Sequence, residues 1–223
     1  MKKNLISVSV MCSDLMALGK DIGILEQLGV DMLHVDVMDA HFVPNLTFGP
    51  DFIKAMHKAT SLPLDIHLMV TDPELVLSAF ELRPGDYLSA HVELDRDYSL
   101  LASKVKACGA HFGLAVNPET PVEALERHLG LFESVTLMLV HPGYAGAKMV
   151  DGIMEKVALA RTWLDAHGAG DVMISVDGSV SAERARYMAG LGAGIFVGGT
   201  AGIYRKGMDL CETVPAFREA ITL

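Results

Sequence analysis

Eight times along 223 residues, a short apolar run is followed by a polar or glycine-bearing turn and then by a segment with helical spacing. The strand-like runs fall at 5–11, 32–39, 63–70, 87–93, 111–117, 134–140, 172–178 and 194–200. The helical segments fall at 14–28, 50–59, 73–82, 99–108, 121–131, 149–167, 181–191 and 209–220. Asp14, Asp72 and Ser181 stand where a side-chain oxygen would cap free N–H groups, and Gly29, Gly109, Gly168 and Gly192 stand where helices should stop. Strands separated by helices pair in parallel through right-handed crossovers. Near-continuous apolar runs suit strands covered on both faces. Eight such units close a (β/α)8 barrel, so the chain is predicted to be an α/β protein, a single TIM-barrel domain over residues 1–223. An open doubly wound sheet usually has about five or six units and would leave the remainder without a place.

The length sits near the short end for such a barrel and leaves room for few insertions. A chain that is 51% hydrophobic and 21% charged is too apolar for disorder. Lys plus Arg is 18 against 28 Asp plus Glu, a net charge of −10. Without runs of Lys and Arg the phosphate-neutralising charge is missing, which argues against nucleic acid and anionic membranes as partners. No apolar run is long enough to span a bilayer. Met1-Lys2-Lys3-Asn4-Leu5 is followed by neither a long apolar run nor a small-residue cleavage site, so no secretory signal is expected. Cys12, Cys108 and Cys211 are odd in number and widely spaced, which points to a reducing cytoplasm.

In a TIM barrel the active site lies at the C-terminal ends of the strands. The polar residues there are Ser9, His34, Asp36, His67, His91, Glu93, Asn117, His141, Asp177 and Thr200. His34 and Asp36 are two apart and so project from one face of a strand. His67 lies in the next strand and Asp177 closes the seventh. Two imidazoles and two carboxylates suit one divalent transition metal, Zn, Fe, Mn or Co. Buried ion pairs without metal satisfy the same pattern.

Glycine forms a second cluster. Pro142-Gly143-Tyr144-Ala145-Gly146, Asp177-Gly178-Ser179 and Gly198-Gly199-Thr200-Ala201-Gly202 follow the last three strands. Backbone N–H groups in such loops hold phosphate oxygens, and loops after strands seven and eight are the usual place. Tight turns alone would also use glycine. Gly190, Gly192 and Gly194 lie at a helix-to-strand join, the wrong order for a dinucleotide fingerprint. Met38, Met69 and Met138 lie beside the candidate ligands, where thioethers could wall the site.

The run His34-Val35-Asp36-Val37-Met38-Asp39-Ala40-His41-Phe42-Val43-Pro44-Asn45 resembles the ribulose-phosphate 3-epimerase family. The likeness extends through Ser9 to Asp14, Leu64 to Met69, Asn117-Pro118-Glu119-Thr120-Pro121, His141 to Gly146, Val176-Asp177-Gly178 and Gly199-Thr200. It implies a TIM-barrel, metal-dependent sugar-phosphate epimerase. By that resemblance His34, Asp36, His67 and Asp177 hold the metal, and Asp36 and Asp177 are also the catalytic acid/base pair. Ser9, Met38, Met69, Met138 and His141 would meet the substrate. Gly143, Gly146, Gly178, Ser179, Gly199 and Thr200 would hold its phosphate. Family members are commonly homo-oligomers, dimers or hexamers.

The chain departs from the family pattern at four places. Ala40 and Ser179 stand where Gly is usual, His141 where Asn, Asp or Glu is usual, and Ala147-Lys148 replaces a common Gln. Met11-Cys12-Ser13-Asp14-Leu15, Asn117 to Ala124, Asp177-Gly178-Ser179 and Gly199-Thr200-Ala201-Gly202 look more like the D-allulose 6-phosphate branch than the D-ribulose 5-phosphate branch. Epimerisation at C3 needs a base on each face of the sugar, which two aspartates from different strands would supply. The alternatives are a metal-free barrel isomerase or lyase and a catalytically silent sugar-phosphate binder.

Overall fold

The computed structural model describes residues 3–222. Eight parallel strands pair in sequence order and close on themselves: β1 Leu5–Ser9, β2 Met32–Met38, β3 Leu64–Met69, β4 Tyr87–His91, β5 His111–Val116, β6 Ser134–Met138, β7 Met173–Asp177 and β8 Ala193–Gly198. The seam is the β1–β8 pairing, Leu5 opposite Ile195 through Val8 opposite Gly198. Seven α-helices surround the barrel among the described residues: α1 Leu18–Gln27, α2 Pro50–Ala59, α3 Pro73–Leu77, α4 Ser99–Ala107, α5 Glu155–Ala166, α6 Ala182–Gly190 and α7 Leu210–Ile221. No helix among these residues is long and apolar enough to cross a membrane. The predicted (β/α)8 barrel is the fold observed.

The two faces of each strand do different work. Outward residues such as Val35, Ile66, Leu88, Phe112, Val135 and Val176 join Leu25, Ile53, Leu101, Val157, Met188 and Phe217 of the helices in one buried layer. Each such side chain contributes about 1.5–3 kcal/mol by leaving water. The inward face is polar well below the mouth: Ser7, Asp65, Ser89, Ser134, Thr136 and Ser175 are buried there. The strands are therefore not apolar on both faces, as their sequences suggest. Gly113 lets the interior close, since a Cβ there would lie 2.5 Å from Ser134 Oγ.

Several helices are shorter than their sequence periodicity. α1 begins at Leu18, because Asp14 closes a separate turn by accepting from the Met16 N–H at 3.0 Å. Asp72 and Ser181 do cap α3 and α6, accepting from the N–H groups of Leu75 and Arg184. α3 stops at Leu77, where Ser78 Oγ donates back to the Leu75 carbonyl and competes with the helical ladder. The segment predicted as helix 121–131 is a 3-10 helix over Val122–His128. α5 starts at Glu155, after Gly152 takes a left-handed φ of +75°. Strands β1 and β4 end early because Val10–Cys12 and Val92–Leu94 wind into single 3-10 turns.

Candidate active site

Register stacks the inward side chains of β2 and β3 in layers. His34 lies opposite Asp65, Asp36 opposite His67, and Met38 opposite Met69. On the far side of the barrel Met138 lies opposite Asp177. The ligating atoms of His34, Asp36, His67 and Asp177 all lie within 4.8 Å of one another. His34 Nε2 stands 3.1 Å from Asp36 Oδ1 and 3.7 Å from Asp177 Oδ2. His67 Nδ1 stands 3.6 Å from each of the same two oxygens. Ligand bonds of about 2.0–2.1 Å separate neighbouring ligand atoms by roughly 3.0–3.4 Å in octahedral and tetrahedral shells. The four atoms are gathered at or slightly beyond that spacing, close enough for one small cation to draw them together.

Their surroundings fix which nitrogens are available. His34 Nδ1 is held by Asp65 Oδ2 at 2.8 Å, and Asp65 also accepts from Ser7 Oγ. That nitrogen must carry hydrogen, leaving Nε2 aimed at the cluster. His91 Nδ1 lies 3.0 Å from Glu93 Oε2 and His91 Nε2 lies 2.9 Å from His67 Nε2. A carboxylate accepts, so His91 carries its hydrogen on Nδ1, and its bare Nε2 accepts from His67 Nε2–H. In neutral His67 this leaves Nδ1 without hydrogen, buried, and with no hydrogen-bond partner. A bare imidazole nitrogen beside two carboxylates could coordinate a cation, and the residues present fit a divalent metal.

Without a cation the cluster favours a protonated His67: burial works against its charge, but Asp177 and Asp36 outweigh burial and push it above the ordinary imidazole value, so a metal would have to displace a proton there. Burial would raise the Asp36 carboxyl, but His34 and His67 outweigh burial and hold it well below the usual carboxylate range. Burial works against a charged His34, yet Asp36 and Asp65 push it well above the usual imidazole value. Burial drives His91 the other way, down to about 4, so it stays a neutral relay. Glu93 is held near 2 against its own burial, chiefly by His91 and Thr120, with the Asn117 N–H donating to its other oxygen.

A cavity opens above the cluster. Its walls include Ser9, Asp36, Met38, Met69, Met138, Gly143, Gly146, Asp177, Gly178, Ser179, Gly199 and Thr200, together with Met11, Cys12 and Tyr144. Ser9 Oγ donates to Asp36 Oδ2 at 3.1 Å. Gly143, Gly146 and Gly178 all take positive φ, and a Cβ on Gly178 would meet Val140 at 2.6 Å, so the loops need glycine there. His34 and His67 form no part of the wall and lie beneath it. His141 does not join the cavity. Its imidazole is mostly exposed, with Nε2 2.5 Å from Glu119 Oε1.

Sequence reading missed Asp65, His91 and Glu93 as orienting groups. The Asp-x-His spacing was an available signal, since it places Asp65 and His67 on one face of β3, whereas Glu93 reaches His91 from the 3-10 turn after β4. It also missed the tie across the mouth. Asn45 Nδ2 donates to the Gly143 carbonyl at 2.7 Å and Tyr144 Oη donates to the Pro44 carbonyl at 2.6 Å, fastening the loop after β6 to the loop after β2. Asp39 organises that second loop by accepting from the N–H groups of His41, Phe42 and Thr71. Two departures from the family pattern now have a physical meaning. Ala40 and Ser179 stand where glycine is usual, and both adopt left-handed backbone, at φ 61° and 53°.

A profile of the ribulose-phosphate 3 epimerase family matches residues 5–203. The chain is 37% identical over 196 residues to the ribulose-phosphate 3-epimerase of Bacillus subtilis, covering 88% of this chain and 90% of that protein. It is 39% identical over 194 residues to the ribulose-phosphate 3-epimerase of Chlamydia pneumoniae, covering 86% and 85%. Among solved structures, KGPDC from Streptococcus mutans superposes with a TM-score of 0.69 over 99% of this chain and 98% of that one. At 11% identity that likeness speaks to the fold alone.

Proposed function

The chain belongs to the ribulose-phosphate 3-epimerase family, isomerases that act on carbohydrates, and from that membership we propose a metal-dependent ketose-phosphate 3-epimerase. In this reading His34, Asp36, His67 and Asp177 hold a divalent transition metal, Zn, Fe, Mn or Co. The observation that carries it is the meeting of Asp36 and Asp177, from β2 and β7, on one pair of imidazoles below a cavity ringed by glycine loops.

The proton on C3 of a ketose is weakly acidic because it lies next to the C2 carbonyl. When bound, the metal supplies Lewis-acid stabilisation of the enediolate oxygens. Asp36 and Asp177 reach the sugar from different strands, so one takes the C3 proton and the other returns one to the opposite face. Their roles exchange in the reverse direction. Ser9 orients the Asp36 carboxylate through its 3.1 Å bond. Met38, Met69 and Met138 surround the reacting carbons with apolar surface and keep water from competing for the intermediate. The loops bearing Gly143, Gly146, Gly178, Ser179, Gly199 and Thr200 would receive the phosphate through backbone N–H groups.

The test is exchange of the C3 hydrogen with deuterated solvent by Asp36→Asn and Asp177→Asn. Each substitution removes one acid/base group, and loss of exchange is expected in both. A folded, metal-loaded variant that still epimerises ketose phosphates near the unsubstituted rate would remove that residue from the mechanism. The relatives' names favour D-ribulose 5-phosphate. Cys12 and Ser179, which carry the likeness to the D-allulose 6-phosphate branch, both line the cavity and support the hexulose as a second reading. Comparing kcat/KM for the two sugar phosphates on metal-loaded protein decides between them.

A further inference from the structure

The phosphate end of the cavity lacks an obvious counter-charge. No Lys or Arg lies among the residues that line it, and the chain carries a net charge of −10. A phosphate dianion must therefore find positive potential from backbone N–H groups or from a cation acting through the wall. Arg184, in the first turn of α6, is such a cation. Its Nη1 donates to the Ser179 carbonyl at 2.7 Å and to Ser179 Oγ at 3.0 Å. Its own N–H is tied to Ser181 Oγ, the cap of the helix.

Two physical consequences follow from the double contact. Ser179 is held in left-handed backbone at φ 53°, which strains a residue with a Cβ, and the charge-assisted bonds to Arg184 offset that strain. A hydroxyl has one hydrogen to donate and lone pairs to accept. Because the guanidinium donates to Oγ, the Ser179 hydrogen points away from Arg184 and is free to donate into the cavity that Ser179 lines. We propose that Arg184 is a positioning residue for recognition of the phosphate. It holds Ser179 as a hydroxyl donor, polarises that donor, and places a positive charge one side chain behind the wall. This role rests on the epimerase reading and extends it to selectivity for phosphorylated over unphosphorylated ketoses.

The experiment measures inorganic phosphate affinity by calorimetry, and KM and kcat for the ketose phosphate, on the metal-loaded protein. Arg184→Ala is expected to raise both the phosphate Kd and KM by roughly tenfold, the loss of one charge-assisted bond, with kcat within about twofold. Arg184→Lys keeps the charge without the planar fork and should recover part of the affinity, whereas Arg184→Gln keeps a neutral donor and should not. In a Ser179→Gly background, Arg184→Ala should change the phosphate Kd far less, because the residue through which it acts is gone. Phosphate affinity unchanged in folded Arg184→Ala overturns the proposal, and so do equal affinities for the Lys and Gln variants if the Ala variant does not fold. Fully additive effects of the two substitutions overturn it as well. Unsubstituted protein that neither binds phosphate nor turns over a ketose phosphate overturns the epimerase reading itself. An active, phosphate-binding protein indifferent to Arg184 overturns only the role of Arg184.

Discussion

The Nε2 atoms of His67 and His91 face each other at 2.9 Å inside the barrel, so one of the two imidazoles must donate and the other accept. Glu93 decides which, because its carboxylate takes the Nδ1 hydrogen of His91. The hydrogen order then runs from His67 through His91 to Glu93 and leaves Nδ1 of neutral His67 bare beside Asp36 and Asp177. Replacing the relay should loosen the metal without touching a ligand. His91→Phe is expected to weaken metal affinity by about 10–100-fold, the usual effect of losing a group that orients a ligand. Glu93→Gln should act in the same direction by removing the acceptor charge. Competition against a chromophoric chelator reads the affinity, and thermal unfolding shows whether the fold is intact. Unaltered affinity in a folded His91→Phe protein would show that the tautomer of His67 is set elsewhere.

The same cluster predicts a proton exchange. Burial disfavours a charged His34, but Asp36 at 3.1 Å and Asp65 at 2.8 Å push its pKa well above the ordinary value. Below that raised pKa, metal-free His34 carries hydrogen on both nitrogens, and a cation must displace the one on Nε2. Metal affinity should therefore rise with pH through the neutral range and level off once His34 is neutral on its own. Calorimetry in buffers of different ionisation enthalpy should find protons released on metal binding at pH 7, from His34 and from His67, which Asp177 and Asp36 also push above its ordinary value against burial. Binding that releases no protons at that pH would mean that both imidazoles are already neutral in the metal-free protein.

How far the sequence reaches depends on whether a feature is local. His34-x-Asp36 is readable because a strand repeats every two residues, and His34, Asp36, His67 and Asp177 do converge. The glycine loops are readable because Gly143, Gly146 and Gly178 need conformations that few other residues adopt. Pairing between strands is not local. That His34 meets Asp65, and His67 meets His91, follows from barrel register. His141 follows β6 in sequence, yet the chain has turned outward by then and its side chain meets Glu119. The shortened helices fail for a similar reason, since Ser78 and Gly152 end the ladder by local chemistry that apolar periodicity does not register. Arg184 carries no motif at all, and only its contact with Ser179 gives it a role.

Stability should depend on the opposite end of the barrel, where Asp31 fastens β1 to α7. Its carboxylate accepts from Lys3 Nζ and from the Ile6 N–H, each at 2.8 Å, and from the Arg218 guanidinium. Arg218 in turn donates to the carbonyls of Asn4 and Gly29, so one side chain of α7 grips β1 and the turn before β2. Burial alone would raise the Asp31 carboxyl, but the bonds from Lys3, Ile6 and Arg218 outweigh it and hold the group below its ordinary value. In the unfolded chain Asp31 takes up a proton at a higher pH than in the folded one. Its stabilising contribution is therefore fully present above the ordinary carboxylate pKa and is lost as pH falls through the lowered value. At neutral pH, Asp31→Asn should cost about 1.5–3 kcal/mol, the range for hydrogen bonds to a charged group. For a domain of this length each kcal/mol lowers Tm by roughly 2–4 °C. In acid, below the lowered value, the protonated carboxyl and the amide become near equivalents and the gap should close. Calorimetric melts of both proteins across that range give the answer. Equal Tm values at pH 7 would show that this junction adds nothing to stability, and a gap that stays constant into acid would show that charge plays no part in it.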